Sequence, residues 1–374
     1  QQPFRSLDSL LILQQCSTFS AFPFNRSRTL FPPAPVLYDS GMTNTETTQN
    51  APSLESAPRG ILLLHTGSPD TCETGAVRRY LRKFLMDPYV LDMPWLLRAM
   101  LVHCVILPMR PLKSAAAYRA IWTGGGSPLV VNTEALRAAL EEALPGTVVR
   151  VASAYGRPSI PEGLDAMAAC GAGETAVLPL FPQYAGATRG GVTSVLLREA
   201  AKRWNVPSLN IVPPFYAHPA FIGALAEIWG PMLADFAPDR VLFSFHGLPL
   251  RQVRKGAAGG LAYDYERQCR MTMEGIAGRL GLDPARCVLG WQSRFGKGWL
   301  EPATDDLLAG FPGRGAKRVA VCAPSFVGDC LETLEELGIR GKEAFLQAGG
   351  GDFMLLPSPN SHPAWVRAVV ELLR

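Results

Sequence analysis

Beyond its first 59 residues, the chain alternates between short apolar runs and segments in which apolar residues recur at helical spacing. The run GILLLHTG, residues 60–67, is continuous and ends in glycine, which is typical of a buried parallel strand. The next segment, ETGAVRRYLRKFL, places Val77, Tyr80 and Phe84 on one helical face. The folded region therefore opens with a strand followed by a helix.

The same alternation continues along the chain and restarts near residue 221. Strands that alternate with helices of this length predict parallel sheets that are covered by helices on both faces. The further predicted elements are helices at 132–144 (capped by Asn132 or Thr133), 194–204, 221–233, 266–281 and 329–338, and strands at 147–156, 175–184, 209–215, 240–247, 286–293 and 318–326.

Two series of this kind predict an α/β protein with two Rossmann-like domains and a cleft between them. We place the first domain at 59–212 and the second at 213–361, and we expect a C-terminal helix at 362–374 to pack back on the first. In open sheets of this type, ligands bind beyond the carboxyl ends of the strands. Polar and Gly/Pro-rich segments follow the predicted strands, as the lining of such a cleft requires.

Residues 1–58 differ from the rest and are interpreted as a disordered or non-native N-terminal leader. The first 41 residues are rich in Ser, Phe and Pro and show no sustained periodicity. Their arginines fit an organelle transit peptide, whereas Asp8 and Asp39 do not. We favour an over-extended upstream reading frame, because Met42 opens a short polar leader that runs straight into the first strand.

Composition narrows the class of protein. The 374 residues are 48% hydrophobic with a formal charge of +4, which suits two packed cores and argues against a nucleic-acid partner. The eight cysteines include no CxxC pair, so neither a zinc site nor a disulfide framework is indicated, and a reducing compartment fits best. The longest apolar stretch, residues 93–109, contains Arg98 and His103 and is shorter than the roughly 20 residues of a spanning helix. We expect it to lie on a membrane rather than to cross one.

The segment LFSFHGLP, residues 242–249, ends a predicted strand with a histidine at a turn. His246 therefore faces the predicted cleft, where a neutral imidazole accepts a proton near pH 7 or binds a metal ion. A histidine that only completes a turn is the structural alternative. His65, at the end of the first strand, is a second candidate. The glycine run at 123–128 lacks the lysine of a phosphate loop, and no GxSxG motif indicates a serine hydrolase.

The predicted helix DCLETLEEL, residues 329–337, has two interpretations. Asp329 and Glu332 have the spacing of a capping box, in which each side chain accepts a backbone hydrogen bond at the helix start. Glu332 and Glu336 also lie four residues apart on one helical face, where like charges repel. That repulsion suggests a use in relaying protons or metal ions.

Nine motifs follow one another in order along residues 60–374. They are GSP (67–69), VRRYLRKFLMDPYVLDMPW (77–95), ILPMRPLKSAAAYRAIW (106–122), GGSPL (125–129), YGRPSI (155–160), LPLFPQYAGAT (178–188), LFSFHGLP (242–249), WQSRFGKGWLEPATD (291–305) and FVGDCLETLEEL (326–337). Together they resemble the ferrochelatases, which insert ferrous iron into a porphyrin, and in particular the proteobacterial type that acts on protoporphyrin. The resemblance implies that both domains have the chelatase-type fold.

The resemblance also implies site residues and their roles. His246 is expected to remove pyrrole protons or to handle the metal, and Glu332 to be its catalytic and metal-handling partner across the cleft. Free porphyrins carry two pyrrole N–H protons, so insertion requires such a base. Glu336 and Asp329 support the pair. The residues expected to line the porphyrin pocket are Thr66, Tyr155, Trp299 and Phe326.

Further expectations concern substrates, cofactors and location. The resemblance implies that protoporphyrin IX and ferrous iron are substrates, that no prosthetic group is present, and that no iron–sulfur cluster is held, since no cysteine follows Cys330. Residues 88–122 correspond to an apolar lip, which we call the lip throughout. Its segment 93–110 is expected to contact a membrane peripherally, with Arg98, Arg110 and Lys113 meeting anionic headgroups. This places the protein in the cytoplasm, at the inner membrane surface.

Three alternatives remain open at this stage: a coproporphyrin ferrochelatase, another tetrapyrrole metal chelatase, and a periplasmic-type binding protein. The long lip favours a hydrophobic dicarboxylate porphyrin, and a binding protein would not need the pair of His246 and Glu332. Two departures from the family pattern are visible. His65 and Thr66 stand where N-L-G-T-P is usual, and the loop before Trp299 is one residue short.

Overall fold

Eight β-strands form two four-stranded parallel sheets with the same topology, and helices flank both. The computed structural model describes residues 58–294 and 296–374, so the interpretations of the leader at 1–57 lie outside the described residues. Strand orders are β2-β1-β3-β4 and β6-β5-β7-β8, and every pairing is parallel. The strands are β1 (Arg59–His65), β2 (Thr147–Ser153), β3 (Glu174–Pro179), β4 (Ser208–Ile211), β5 (Arg240–His246), β6 (Cys287–Gln292), β7 (Arg318–Cys322) and β8 (Asp352–Leu355).

Twelve α-helices lie in the described part of the chain, together with three π-helical segments. The α-helices are α1 (Thr74–Leu85), α2 (Trp95–Met100), α3 (Leu107–Ile121), α4 (Pro128–Ala143), α5 (Ile160–Ala169), α6 (Gly191–Ala200), α7 (Pro219–Phe236), α8 (Leu250–Ala257), α9 (Tyr265–Leu280), α10 (Thr304–Gly310), α11 (Lys342–Gln347) and α12 (Pro363–Leu372). The π-helical segments are Leu101–Ile106, Gly186–Gly190 and Glu332–Gly341.

The central strands β1 and β5 are apolar on both faces. Residues 61–64 of β1 and 241–245 of β5 are almost completely buried, as expected for strands covered by helices on both sides. In each sheet the strand order reverses beside the first strand, between β1 and β3 and between β5 and β7. Ligand sites of open α/β sheets lie at the carboxyl ends of such reversal points. The predicted fold class is confirmed.

The hydrophobic core that links the two sheets is built around α7 and α12. Helix α12 packs along α7 and also touches α4. Trp365 of α12 is fully buried, with its ring 5.8 Å from that of Phe215 and 5.7 Å from that of Phe221. The C-terminal helix thus contacts elements from both predicted domain ranges, and the domain boundaries themselves stay a prediction.

The start of α4 was predicted wrongly. Helix α4 begins at Pro128, four residues before the expected cap at Asn132. Proline is favoured at the first helical position because its missing N–H has no partner there in any case. Thr133 lies inside the helix, where its hydroxyl donates to the carbonyl of Leu129 at 2.7 Å, so it does not cap the helix.

The lip folds as one continuous helical run, Trp95–Ile121, formed by α2, a π segment and α3. Its buried inner face includes Val102, Leu107 and Ala115 and packs on α1. The spacing from Val102 to Leu107 is five residues, because the π segment Leu101–Ile106 adds one residue to the turn and keeps the same face inward.

The outer face of the lip exposes large apolar side chains. They are Trp95, Leu96, Leu97, Met100, Val105, Met109 and Leu112. Within the described residues, this helix has the length and apolar composition of a membrane span, with a mean hydropathy of 1.3 over an 18-residue window. It is longer than the apolar stretch on which the sequence prediction rested, although its inner face packs on the protein.

Arg98 does not reach the lip surface, and its predicted contact with headgroups is wrong. The residue is 7% exposed, and its guanidinium donates to the carbonyls of Leu91 (3.3 Å) and Met93 (3.0 Å). Arg98 therefore fixes the chain that enters the lip. Arg110 and Lys113 are exposed, as expected.

Trp365 provides a test of the shared core. Trp365→Ala should lower the free energy of unfolding by about 3–5 kcal/mol, because it leaves a cavity between Phe215 and Phe221. Trp365→Phe should cost only about 1 kcal/mol, since it keeps an aromatic ring and removes an indole N–H that has no partner among the described residues. Urea unfolding measures both. Equal losses in the two variants would contradict this account.

Candidate active site

His246 is the last residue of β5, at the reversal point of the second sheet. It pairs in register with Gln292, the last residue of β6. Its Nδ1 lies 2.7 Å from the carbonyl oxygen of Gly247. A carbonyl only accepts, so Nδ1 must carry the proton, and the Nε2 of the neutral ring keeps its lone pair. The half-buried imidazole can therefore accept a proton or bind a metal ion at Nε2.

Gly247 lets the chain turn directly after His246. Its N–H donates to the carbonyl of Gln292 at 2.8 Å, and a Cβ at this position would lie 2.7 Å from that same oxygen. Only glycine fits such an approach. The same Cβ would lie 3.6 Å from Cε3 of Trp299, so the half-buried Trp299 stands beside the turn that follows the histidine.

Glu336 is a buried carboxylate held by the end of β6. The Ser293 N–H donates to Oε1 at 2.7 Å and the Ser293 hydroxyl to Oε2 at 2.5 Å. Burial raises the pKa of Glu336; the Ser293 hydrogen bond and the nearby His246 oppose the shift, and Glu332 adds to it. Ser293 has a φ of 59°, a left-handed conformation that is uncommon for serine and aims its N–H and hydroxyl at the carboxylate.

Glu332 begins the π-helical segment Glu332–Gly341 and is half-buried. Its backbone carbonyl accepts from Nε2 of Gln292 at 3.1 Å. The side chain faces two tyrosines from the first half of the chain. Burial first, and then the Glu332 carboxylate, raises the pKa of Tyr80, and burial, Tyr80 and Glu332 together raise that of Tyr118. The structure thus brings His246, Glu332 and Glu336 together, with protonated phenols opposite Glu332.

The predicted capping box at Asp329 and Glu332 is wrong. The helix has no side-chain cap, and Thr333 instead accepts the N–H of Cys330. Asp329 is buried, where it accepts from the Thr333 hydroxyl, the Ser358 N–H and the Asn360 amide at 2.8–3.2 Å. This carboxylate fixes the start of the helix to the C-terminal segment, and its support of the pair of His246 and Glu332 stays a prediction.

Three further predicted pocket residues occupy different environments. Thr66 is half-buried, and its carbonyl accepts from the N–H of Tyr155 at 2.9 Å. Tyr155 is 6% exposed and its hydroxyl donates to Asp87 at 2.9 Å, so its ring packs inside the protein. Phe326 is half-buried after β7 and packs against the core of the second sheet. Contact of these side chains with a porphyrin stays a prediction.

Several residues of this region were not singled out from the sequence. The sequence places Tyr80 only on a helical face with Val77 and Phe84, and Tyr118, Gln292 and Ser293 occur only inside matched motifs. A polar residue at a strand end was the available signal for Gln292 and Ser293. For the two tyrosines, only tertiary packing of α1 and α3 reveals the approach to Glu332. Among the described residues, no three His, Cys, Asp or Glu side chains are arranged to hold a metal ion.

Comparisons with known proteins agree on one family. The family model for ferrochelatase matches residues 58–374. The ferrochelatase of Pseudomonas aeruginosa is 41% identical over 329 residues, covering 83% of this chain and 96% of that protein. That of Azotobacter vinelandii is 41% identical over 332 residues, covering 84% and 98%. The chain belongs to the ferrochelatase family. As a proteobacterial-type ferrochelatase it is a lyase-type metal chelatase that inserts ferrous iron into a porphyrin in haem biosynthesis, as predicted.

Solved structures agree with this fold. The sirohydrochlorin chelatase SirB of Bacillus subtilis subspecies spizizenii, in complex with cobalt, superposes with a TM-score of 0.51 at 12% identity over 85% of this chain and 94% of that one. SirB from Bacillus subtilis with Fe3+ gives 0.50 at 14% identity, over 84% and 96%. At these identities the likeness concerns the two-domain chelatase fold alone.

His65 ends β1 in the first sheet, where His246 ends β5 in the second, but its environment differs. It is 2% exposed; Nδ1 accepts the N–H of Gly67 at 2.9 Å, and Nε2 has no partner among the described residues. Burial lowers its pKa from 6.5 to about 4. His65 therefore stays neutral and orders the turn at Gly67, whose carbonyl accepts from the Tyr80 hydroxyl at 3.0 Å.

The pH dependence of stability tests this assignment of His65. Its folded pKa lies below the unfolded value, so the unfolded chain binds a proton that the folded chain excludes, and stability that is present above pH 6.5 is lost as the pH falls to about 4. Between pH 7 and pH 5 the loss should be about 2 kcal/mol. His65→Asn keeps an acceptor for the Gly67 N–H and should remove this component. Urea unfolding at pH 7 and pH 5 measures this difference. An equal pH dependence of stability in the variant and the parent protein would refute the assignment of His65.

Proposed function

We propose that the chain inserts ferrous iron into protoporphyrin IX, with His246 and Glu332 acting on the ring centre from the cleft between the two sheets. The observation that supports this is the 2.7 Å contact between Nδ1 of His246 and the Gly247 carbonyl. With Nδ1–H committed to the Gly247 carbonyl, Nε2 is a base placed at the reversal point of the second sheet. The porphyrin loses two pyrrole protons and gains one Fe2+ per turnover, so the overall charge balances.

The proposed proton path runs from Nε2 of His246 and the Glu332 carboxylate to Glu336. Burial raises the pKa of Glu336, which makes this carboxylate a stronger base than an exposed glutamate and suits a proton acceptor. Its partner Ser293 is half-buried, so the carboxylate lies close to the surface of the protein. Carboxylate and imidazole groups are also ligands for ferrous iron, which enters as substrate.

Substrate choice and location are proposed from the lip. The exposed apolar face of the lip suits a poorly soluble dicarboxylate macrocycle and the surface of a bilayer. Exposed Arg110 and Lys113 lie on the same helix and suit anionic headgroups. These features support the proposal that the protein is cytoplasmic and binds peripherally to the inner membrane surface. The proposed reaction itself uses no prosthetic group, because ferrous iron enters as a substrate.

Metal insertion assays test the proposed reaction. The parent protein with ferrous ion should convert protoporphyrin faster than coproporphyrin. His246→Ala should lower kcat by about 100-fold or more, because it removes the base. Glu332→Gln should also lower kcat, while its backbone bond to Gln292 is retained. Absorbance spectra follow the conversion, and urea unfolding serves as the control, since neither side chain is part of the core. Near-normal turnover in His246→Ala would rule out its role, and a preference for coproporphyrin would reassign the substrate.

The membrane proposal is tested by changing the outer face of the lip. The double variant Leu96→Ser/Leu97→Ser should weaken binding to phosphatidylglycerol-containing liposomes by roughly tenfold or more, because both leucines are exposed. It should also raise the KM for porphyrin and leave kcat unchanged. Leu197→Ser is the matched control, since this leucine on α6 is 50% exposed outside the lip. Unchanged flotation of the double variant with liposomes would contradict the membrane contact.

A further inference from the structure

The root of the lip, residues 88–93, lies against α8 of the second half. The Arg251 guanidinium donates to the backbone carbonyl of Asp92 and lies 3.6 Å from its carboxylate, and Lys255 Nζ lies 3.3 Å from the same carboxylate. Nε2 of Gln252 donates to the carbonyl of Val90 at 3.2 Å. One carboxylate and two backbone carbonyls of the lip root therefore meet three polar side chains of one helix.

Helix α8 is itself fixed to the turn that follows His246. The N–H of Leu250 donates to the carbonyl of Gly298 at 2.9 Å, and the N–H of Leu300 donates to that of Leu248 at 3.1 Å. These bonds join the His246 turn to the loop that contains Trp299. Val253, on the inner face of α8, is buried. A displacement of α8 would therefore move the surroundings of His246.

Two different kinds of interaction hold the lip root: buried hydrogen bonds on one side and exposed ion pairs on the other. On the side of the first sheet, the buried Asp87 accepts from the Tyr155 hydroxyl and from the N–H of Tyr89 at 2.7 Å, so this anchor is shielded from salt. On the side of α8, the side chains of Arg251 and Lys255 are 67% and 73% exposed. Added salt should therefore loosen the second anchor and leave the first unchanged.

We propose that Asp92, Arg251, Gln252 and Lys255 form a latch that sets the distance between the lip and His246, and so position the porphyrin for metal insertion. The inference rests on the proposed function, in which the porphyrin lies between the lip and His246. The four residues are positioning residues: they touch the lip root and α8, and they change binding of the macrocycle through the placement of the lip.

The expected effect is modest, because each exposed ion pair is weak. Asp92→Asn and the double variant Arg251→Ala/Lys255→Ala should raise the KM for protoporphyrin by about two- to fivefold with kcat unchanged. Both should speed amide hydrogen exchange of residues 88–94 in the protein without porphyrin. In the parent protein, high salt should raise the rate of amide hydrogen exchange at residues 88–94 towards that of Asp92→Asn. In Asp92→Asn itself, salt should change this rate little.

Arg254 provides the matched control. It lies on the exposed face of α8 and has no ion pair or hydrogen bond to the lip root, and Arg254→Ala removes one positive charge from the same helix. This variant should leave exchange at 88–94 and the KM as in the parent protein. An equal rise of KM in Arg254→Ala would show a general charge effect on an anionic porphyrin and would overturn the latch.

Hydrogen exchange is measured without substrate. It therefore tests the existence of the latch independently of the proposed function. Unchanged exchange at 88–94 in both Asp92→Asn and Arg251→Ala/Lys255→Ala would refute the latch, whatever the activity. Faster exchange with an unchanged KM would refute its role in positioning the porphyrin. Faster exchange with a raised KM and an unchanged kcat, in these two variants and not in Arg254→Ala, is the result that supports it.

Discussion

The tight turn at Gly247 is the constraint on which the rest of the site depends. The backbone of this residue lies so close to the Gln292 carbonyl that no side chain fits, and its own carbonyl takes the Nδ1 proton of His246. One residue thereby determines the tautomer of the imidazole. The chain that leaves the turn pairs with the Trp299 loop and continues into α8, which touches the root of the lip. A substitution with a Cβ at Gly247 would therefore disturb the proposed base, the loop and the lip together.

A second constraint is the low polarity around Glu336. A buried carboxylate is stable only when its oxygens accept hydrogen bonds, and Ser293 supplies two of them at the cost of a left-handed backbone. Desolvation still dominates and raises the pKa of Glu336. The π-helical segment that begins at Glu332 places both glutamates on this side of the helix. The backbone carbonyl of Glu332 accepts from the Gln292 amide, which fixes the position of this residue beside the end of β6.

Much of this fold follows from the sequence because continuous apolar runs encode buried parallel strands. Strand β5 and the position of His246 at its end are examples, since the run RVLFSF can be buried on both faces and the following Gly-Leu-Pro must turn. Strand β8 escaped prediction because DFML is a short edge strand whose residues are mostly half-buried. The start of α4 was missed because Pro128 sets it, where the sequence also offered a polar cap.

The site was harder to predict where side-chain partners decide the outcome. Asp329 has the spacing of a cap, yet Thr333 and Asn360 hold it, and no local pattern encodes a partner 31 residues away. Arg98 was expected at a membrane surface because charged residues usually seek water, but two backbone carbonyls at the entry to the lip bind it instead. Tyr80 and Tyr118 approach Glu332 only because α1 and α3 pack against each other, which periodicity cannot specify.

The two sheets share one topology but contribute different groups to the region of the site. Both central strands end in histidine, and the environment separates their roles: His65 is sealed inside the protein with a pKa of about 4, whereas His246 is half-buried with Nε2 available. An imidazole that cannot be protonated near neutral pH serves as a structural acceptor for the Gly67 N–H. The first sheet therefore supplies the ordered turn, the tyrosines and the lip, and the second supplies the proposed proton acceptors. The position of a histidine at a strand end therefore does not define its chemistry. The degree of burial and the hydrogen-bond partner of each ring nitrogen must also be known.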